Sequence, residues 1–427
     1  MHTLHVSENK RYLTTADGKP FYLIGDTAWE LFHRLSREQT LHYLDTRKEQ
    51  GFNMIQAVIL AELDGLTVPN ANGDFPLYQK EDGTYDPTML CEAYFAHVDF
   101  VIAEAAKRSM YVGVLPTWGD KWNRIWGAGP EIFNPENANA YGQLIGRRYR
   151  DFDNILWILG GDRPLTEERH FAIIDAMTRG LHAGDGGKFP ITLHPCGANS
   201  SSAFVHDRPW LDFNMMQSGH GKPSPYCFDM METDYQRTPT KPVMDGEPCY
   251  EDHPINFDTA NSYYDAYDVR LAAYRNLFGG ACGNTYGHHS IWCFRREEER
   301  SAYFPNAWET ALHRPGAENI RIYAQFVADH PWYTFRPTPE LIADNPRNAA
   351  FTAAAVTDDA VYLYLPAGVG VKLDLDKMPF VPTVCTLFSP HDGTYDENAV
   401  LLRDDGFVTL PGRAAGRYMD AVVILRR

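Results

Sequence analysis

The stretch NILWILGGD (154–162) reads as a strand buried on both faces that ends in a sharp turn. Five apolar residues follow Asn154 without the alternation of a half-exposed strand, which is the mark of a parallel sheet covered on both sides. The two glycines let the backbone turn tightly and leave space above the turn, and Asp162 is the first side chain beyond them. Seven further runs have the same form: FYLIGDTAW (21–29), FNMIQAVIL (52–60), MYVGVLPTW (110–118), PITLHPCG (190–197), DFNMMQSGH (212–220), PVMDGEPCYE (242–251) and GACGNTYGHHSIW (280–292). Helical patterns lie between them. They include SREQTLHYLDTRKEQ (36–50), where Ser36 and Gln39 form a candidate capping box, YFAHVDFVIAEAAKRS (94–109) and ENANAYGQLIGRRYRD (136–151). Eight buried strands alternating with helices predict an α/β fold of the (β/α)8 TIM-barrel type. A doubly wound open sheet also alternates, but it would be expected to carry a glycine-rich phosphate turn after an early strand, and none is present.

The chain changes character near its end. AAFTAAAVTDDAVYLYLP, GVKLDLD, TVCTLFSP, GFVTLPG and MDAVVILRR are short β-type runs separated by Gly, Pro and Asp. They predict a small antiparallel β-sandwich over 338–427, joined through WYTFRPTPELI (332–342) to a barrel spanning 1–335. The 427 residues suit that division, a barrel of roughly 250 residues or more with a small accessory domain.

Composition narrows the partners. A formal net charge of −17 disfavours nucleic acid and anionic membrane surfaces, since both need basic patches. No apolar run approaches a membrane span. The opening MHTLHVSENK has no apolar core of a secretory signal, so the expected location is cytoplasmic, or periplasmic or extracellular if a signal peptide has been removed. The seven cysteines are odd in number and scattered without metal-ligand spacing, a pattern of reduced thiols.

Barrel active sites lie at the C-terminal ends of the strands. Those ends carry Asp26 and Trp29, then Gln56 followed by Glu62 and Asp64, then Trp118 and Asp120, then Asp162 and Arg163. His194, Gln217 with His220, Asp245 with Glu247 and Glu251, and His288 with His289 and Trp292 complete the ring. Carboxylates converging among Trp, His and Gln suit glycosidic bond cleavage, where one protonates the leaving oxygen and the other attacks the anomeric carbon or activates water. Asp162 and Glu247 stand out as catalytic candidates, because strands four and seven face each other across a barrel mouth. A strand-end carboxylate can instead cap the following helix, a reading weaker for Glu247 because Pro248 follows it. Asp26, Trp29, Gln56, Trp118, His194, Gln217, His220, His288 and Trp292 are candidate substrate-binding residues, with Trp122 and Trp126 as further stacking walls or core. Adjacent histidines on a strand point to opposite faces, so only one of His288 and His289 can serve one site, and no metal or other cofactor is expected. RREEER (295–300) reads as a solvated surface run.

The GDTAWELFHRLSREQ segment, WILGGD, DGEPCYE and the β-rich tail together resemble glycoside hydrolase family 140, over nearly the whole chain. That family is apiosidase-like: TIM barrels with a C-terminal β-sandwich named for collagen binding. The resemblance implies release of a terminal β-D-apiofuranosyl unit from plant glycosides or pectic side chains by a retaining mechanism, with Asp162 as acid/base and Glu247 as nucleophile. Where the wider group of retaining barrels has an Asn-Glu pair on strand four, this chain has Gly-Gly-Asp, so the shorter acid must be positioned by its loop. Two rival readings are a retaining hydrolase of another furanoside or plant oligosaccharide, and a catalytically silent carbohydrate-binding protein.

Overall fold

The computed structural model describes residues 2–221, 227–397, 399–404, 406–412 and 415–427. Each of the eight apolar runs forms a strand: β1 Leu23–Thr27, β2 Met54–Leu60, β3 Tyr111–Thr117, β4 Ile155–Gly160, β5 Ile191–His194, β6 Asn214–Gln217, β7 Val243–Asp245 and β8 Gly283–Tyr286. Every residue of all eight is buried, as a parallel sheet inside a ring of helices requires. Neighbours pair in parallel in the order β5-β4-β3-β2-β1-β8-β7-β6, and a two-residue strand, Asn199–Ser200, adds antiparallel to β6. The barrel closes between β5 and β6 without a regular ladder. Asp212 N donates to Ile191 O at 2.9 Å, Ile191 N donates to the Asp212 carboxylate at 2.7 Å, and Thr192 Oγ1 donates to Phe213 O at 2.7 Å.

The barrel interior is packed in layers. Leu23, Met54, Val58, Tyr111, Leu115, Leu156, Ile158, Phe213, Met215 and Met244 form one apolar cluster. Leu13, from an N-terminal three-stranded sheet, and Leu4, just before it, join that cluster at the end where the strands begin, and Trp29 and Trp118 join it at the other. The outer helices include α1 Arg37–Glu49, α2 Glu92–Lys107, α3 Pro135–Tyr149, α4 Glu168–Asp185, α5 Cys227–Tyr235, α6 Ala266–Phe278 and α7 Pro315–Asp329. The capping box read from Ser36 and Gln39 is formed at the start of α1. Helices α3 and α4 flank β4 in the chain and touch backbone to backbone. Gly142 and Gly146 of one face Gly180 and Gly184 of the other, and a side chain at any of the four would run into a backbone atom of the opposite helix.

The C-terminal region holds two antiparallel sheets. Six strands run in the order Arg336–Pro337, Ala353–Val356, Ala360–Leu365, Ala421–Arg426, Val384–Phe388, Tyr395–Asp396. Four more, in the order Ile342–Ala343, Val371–Asp374, Phe407–Leu410, Leu402–Asp404, form the second sheet. Val361, Leu363, Leu365, Val423 and Leu425 point between the sheets. Their alternating neighbours Tyr362, Tyr364, Val422 and Ile424 join the main core of the barrel. Tyr364 stacks on Tyr274 of α6 (5.3 Å between centroids, 11° between planes), and Arg270 of α6 binds Asp420 through two hydrogen bonds of 2.7 Å. All seven cysteines are free. Among the described residues no helix is long and apolar enough to cross a membrane.

Candidate active site

A cavity of about 780 Å³ opens at the C-terminal ends of the strands, with Asp162 and Glu247 both in its wall. Asp162 owes its position to a backbone that ordinary residues avoid. Gly160, Gly161 and Asp162 have φ of 88°, 101° and 53°, three left-handed residues in a row. A Cβ on Gly160 would collide with the His194 carbonyl, and one on Gly161 would lie 2.7 Å from Gly119 N. Helix α4 starts only at Glu168 and is not capped by Asp162, which removes the helix-capping reading. A non-glycine residue held at positive φ is strain that the surrounding structure must sustain, and such strain concentrates at working sites. One Asp162 oxygen lies 3.3 Å from Trp126 Nε1 and 3.2 Å from Arg163 Nη1.

Glu247 follows β7 at the turn with Gly246. The Gly246 carbonyl accepts a hydrogen bond from Gln56 Nε2 at 2.8 Å, and the Glu247 carbonyl accepts one from Gly219 N at 3.0 Å. Its carboxylate sits between two imidazoles. His220 Nε2 makes a 2.9 Å hydrogen bond with Oε1, and His194 Nε2 lies 2.9 Å from Oε2, off the line of an ideal hydrogen bond. His194 Nδ1 accepts from the backbone N–H of Asp162 at 3.3 Å, so the ring proton belongs on Nε2 and faces Glu247. One histidine therefore ties the two carboxylate residues together.

The two carboxyl groups carry opposite perturbations. For Asp162, burial and then the negative charge of Glu247 raise the pKa above the ordinary aspartate value, against the pull of His194 and Arg163. For Glu247, burial pushes upward, but the two imidazoles outweigh it and hold the pKa well below the usual carboxylate range. A pair of titratable groups pushed apart in this way assigns one as acid and the other as anion.

Of the nine candidate binding residues, Trp29, Trp118, Gln217, His220 and Trp292 line the cavity. Trp29 and Trp118 pack against each other (5.1 Å) as its floor, and Gln217 Oε1 is buried without a partner. The other four stand elsewhere. Asp26 is wholly buried, with one oxygen taken by Arg47 Nε at 2.6 Å and Tyr43 at 2.5 Å, so its charge is committed to the core. Gln56 acts on Gly246 from behind, and His194 lies behind Glu247. His288 turns away to Asp252 (3.0 Å), which also binds Arg314, and His289 faces the cavity in its place. The pair lies just past β8, and of the two it is His289, not the expected His288, that serves the cavity. Trp126 lines the cavity, while Trp122 is core against His170. Sequence reasoning missed Tyr250, His253, Phe257 and Tyr303, all of which line the cavity. For the first three the signal was the density of His and aromatic residues in the segment after β7, whereas Tyr303 follows β8. Among the described residues no group of His, Cys, Asp and Glu could hold a metal ion.

This cavity belongs to a fold with close solved relatives. A glycoside hydrolase family 5 protein from Bacteroides vulgatus ATCC 8482 superposes with a TM-score of 0.87 at 28% identity, covering 99% of this chain and 92% of that one. A second structure, named only a glycoside hydrolase, gives 0.86 at 28% identity over 100% of this chain and 97% of its own. The alpha-amylase of Geobacillus thermoleovorans shares the fold at 12% identity, with a TM-score of 0.59 over 95% of this chain and 98% of that chain. No curated protein matches. The family model for the apiosidase-like catalytic domain matches residues 7–334, a span that contains both perturbed carboxylates and every strand of the barrel, and the chain belongs to that apiosidase-like family of glycoside hydrolases.

Proposed function

We propose that the protein is a retaining, exo-acting glycosidase that releases terminal β-D-apiofuranosyl units from plant glycosides or pectic side chains. The observation that carries the reading is the asymmetry of the dyad: Glu247 is held as an anion by two imidazoles, while Asp162 keeps its proton at higher pH than an ordinary aspartate. Glu247 attacks the anomeric carbon as Asp162 delivers its proton to the departing oxygen, forming a glycosyl ester on Glu247. With that charge neutralised the pKa of Asp162 falls. Asp162 then takes a proton from the incoming water, whose oxygen displaces the Glu247 carboxylate. Retention requires the two carboxyl groups about 5–5.5 Å apart, against roughly 6.5–9.5 Å for an inverting pair. Membership of the apiosidase-like family supports apiose as the sugar in this reading.

The test is azide rescue on an aryl β-D-apiofuranoside whose leaving group needs no proton. Asp162→Ala is expected to keep partial activity and to give a glycosyl azide of retained configuration. Glu247→Ala is expected to lose all turnover and to recover with azide as the inverted product. Exchanged outcomes would exchange the roles, and a wild-type product of inverted configuration would remove the covalent step. Cleavage confined to other aryl furanosides or plant oligosaccharides would replace the sugar in this reading. Release from no glycoside at all would leave a carbohydrate-binding protein.

A further inference from the structure

Two further carboxyl groups line the cavity, Asp229, which is paired with Arg347, and Glu62. Glu62 lies two residues beyond the end of β2 and lines the same space as Asp162 and Glu247. Asp162, Glu247 and Glu62 come from three different strand ends, so they surround the space rather than crowd one edge of it. Asp162 is held by Trp126 and Arg163, and Glu247 by two histidines. The Glu62 carboxyl has no hydrogen bond or ion pair to any described residue. Glu62 is half-buried, and its place in the cavity wall leaves its carboxyl open to a bound sugar.

We propose that Glu62 is a substrate-binding residue that works as a neutral acid, holding a hydroxyl of the bound sugar by donating its own proton to the bond. The proposal rests on the reading of this cavity as a sugar site. Its surroundings favour the neutral form. Burial comes first, then the charge that Asp162 carries once it has given up its proton, with Arg163 opposing and Asp120 and Glu247 adding to the push; together they raise its pKa to about 8. From the β1 side Glu30, buried and itself pushed well above the glutamate range, adds no cation. Lys121, on the β3 side, is bound to both oxygens of Asp120 at 2.8 and 2.9 Å. A carboxylate can only accept, whereas a carboxylic acid donates through its O–H and accepts through its C=O, so the neutral form can engage two sugar hydroxyls in different senses. It also leaves Glu247 as the anion facing the anomeric carbon, with no second negative charge against the developing positive one.

Two variants separate this role from a passive one. Glu62→Gln keeps a neutral donor and acceptor of nearly the same shape, and Glu62→Ala removes both. On an aryl β-D-apiofuranoside near neutral pH, Gln should stay within about threefold of wild type, while Ala should raise KM about tenfold with a much smaller change in kcat. If wild type cleaves no aryl glycoside, the catalytic reading falls on its own and the comparison moves to calorimetric binding of methyl β-D-apiofuranoside. There, absence of binding to wild type, or equal binding to wild type and Ala, overturns the proposal. The protonation part has a readout that needs no substrate. An unfolded Glu62 releases its proton near the ordinary 4.5, while the folded one keeps it to about 8. Between those values the folded state holds the extra proton, so wild-type stability falls relative to Gln as pH rises. The Tm advantage of Glu62→Gln should therefore grow from about pH 4.5 to about pH 8 and then level off. An advantage that does not change with pH, or a KM unmoved in Ala, overturns the proposal.

Discussion

His194 and His220 decide what kind of group Glu247 is. Burial alone would make it a poor anion, and the two imidazoles reverse that. In the proposed mechanism Glu247 reacts as the anion, so the acid limb of kcat/KM should follow its pKa in the free enzyme. With both histidines in place that limb should lie below the ordinary glutamate range. Replacing either by alanine removes one contact to the carboxylate, so its pKa rises and the acid limb moves to higher pH. The same groups set a stability term of the same sign. A carboxylate whose folded pKa is depressed contributes stability above its unfolded value, and that contribution is lost as pH falls through the folded pKa. Profiles of kcat/KM and of Tm between about pH 3 and pH 7 check both, and a His220→Ala acid limb that coincides with wild type would show that the imidazole does not tune Glu247. Asp26 marks the limit of residue-scale reading. Its place at a strand end beside Trp29 made it a site candidate, but the partners that claim it, Arg47 and Tyr43, arrive from α1, and a sequence does not display that distance.

At the scale of elements, the turn after β4 does for Asp162 what an Asn-Glu pair would do with a longer side chain. Three consecutive left-handed residues lift a short acid into the cavity. Gly160→Ala meets both an unfavourable φ and the His194 carbonyl, so it should cost on the order of 1–3 kcal/mol and also displace Asp162. The expected signature is a drop in kcat on substrates with poor leaving groups, where the acid matters, and little change on activated aryl glycosides. Equal losses on both would mean that the turn serves the fold alone. The eight strands were legible because each is buried on both faces and therefore reads as an uninterrupted apolar run. The turn was legible because two glycines in a row mark a backbone that other residues adopt only under strain. The closure between β5 and β6 was not, since it depends on Asp212 and Thr192 bridging two strand ends in place of a ladder. The cavity wall after β7 was half legible: Glu247 and His220 sit next to apolar runs, whereas His253 and Phe257 come from an irregular segment with no period to read.

On the scale of the whole molecule, the tail and the barrel share one core. The six-stranded sheet buries one face against the second sheet and the other against α6 and α7, where Tyr274 meets Tyr364 and Phe326 meets Phe388 at 4.8 Å. Removing residues 336–427 would therefore bare a continuous aromatic face of the catalytic barrel, and a patch of that kind drives aggregation. A point substitution asks the same question more gently. Asp420 binds Arg270 through both oxygens and also accepts from Tyr364 at 2.9 Å, all out of contact with water. Arg270 stays charged without its partner, because guanidinium does not give up its proton in a protein. Asp420→Ala thus leaves a buried cation facing a gap, a cost of about 3–5 kcal/mol. Because Arg270 stands on α6, directly after the segment that carries Glu247, the loss should not be confined to the tail. Chemical denaturation followed by tryptophan fluorescence and by residual activity should give one shared transition at lower denaturant in the variant. Two separate transitions, with activity outlasting the melting of the tail, would show instead that the two sheets are an appendage and the barrel stands without them.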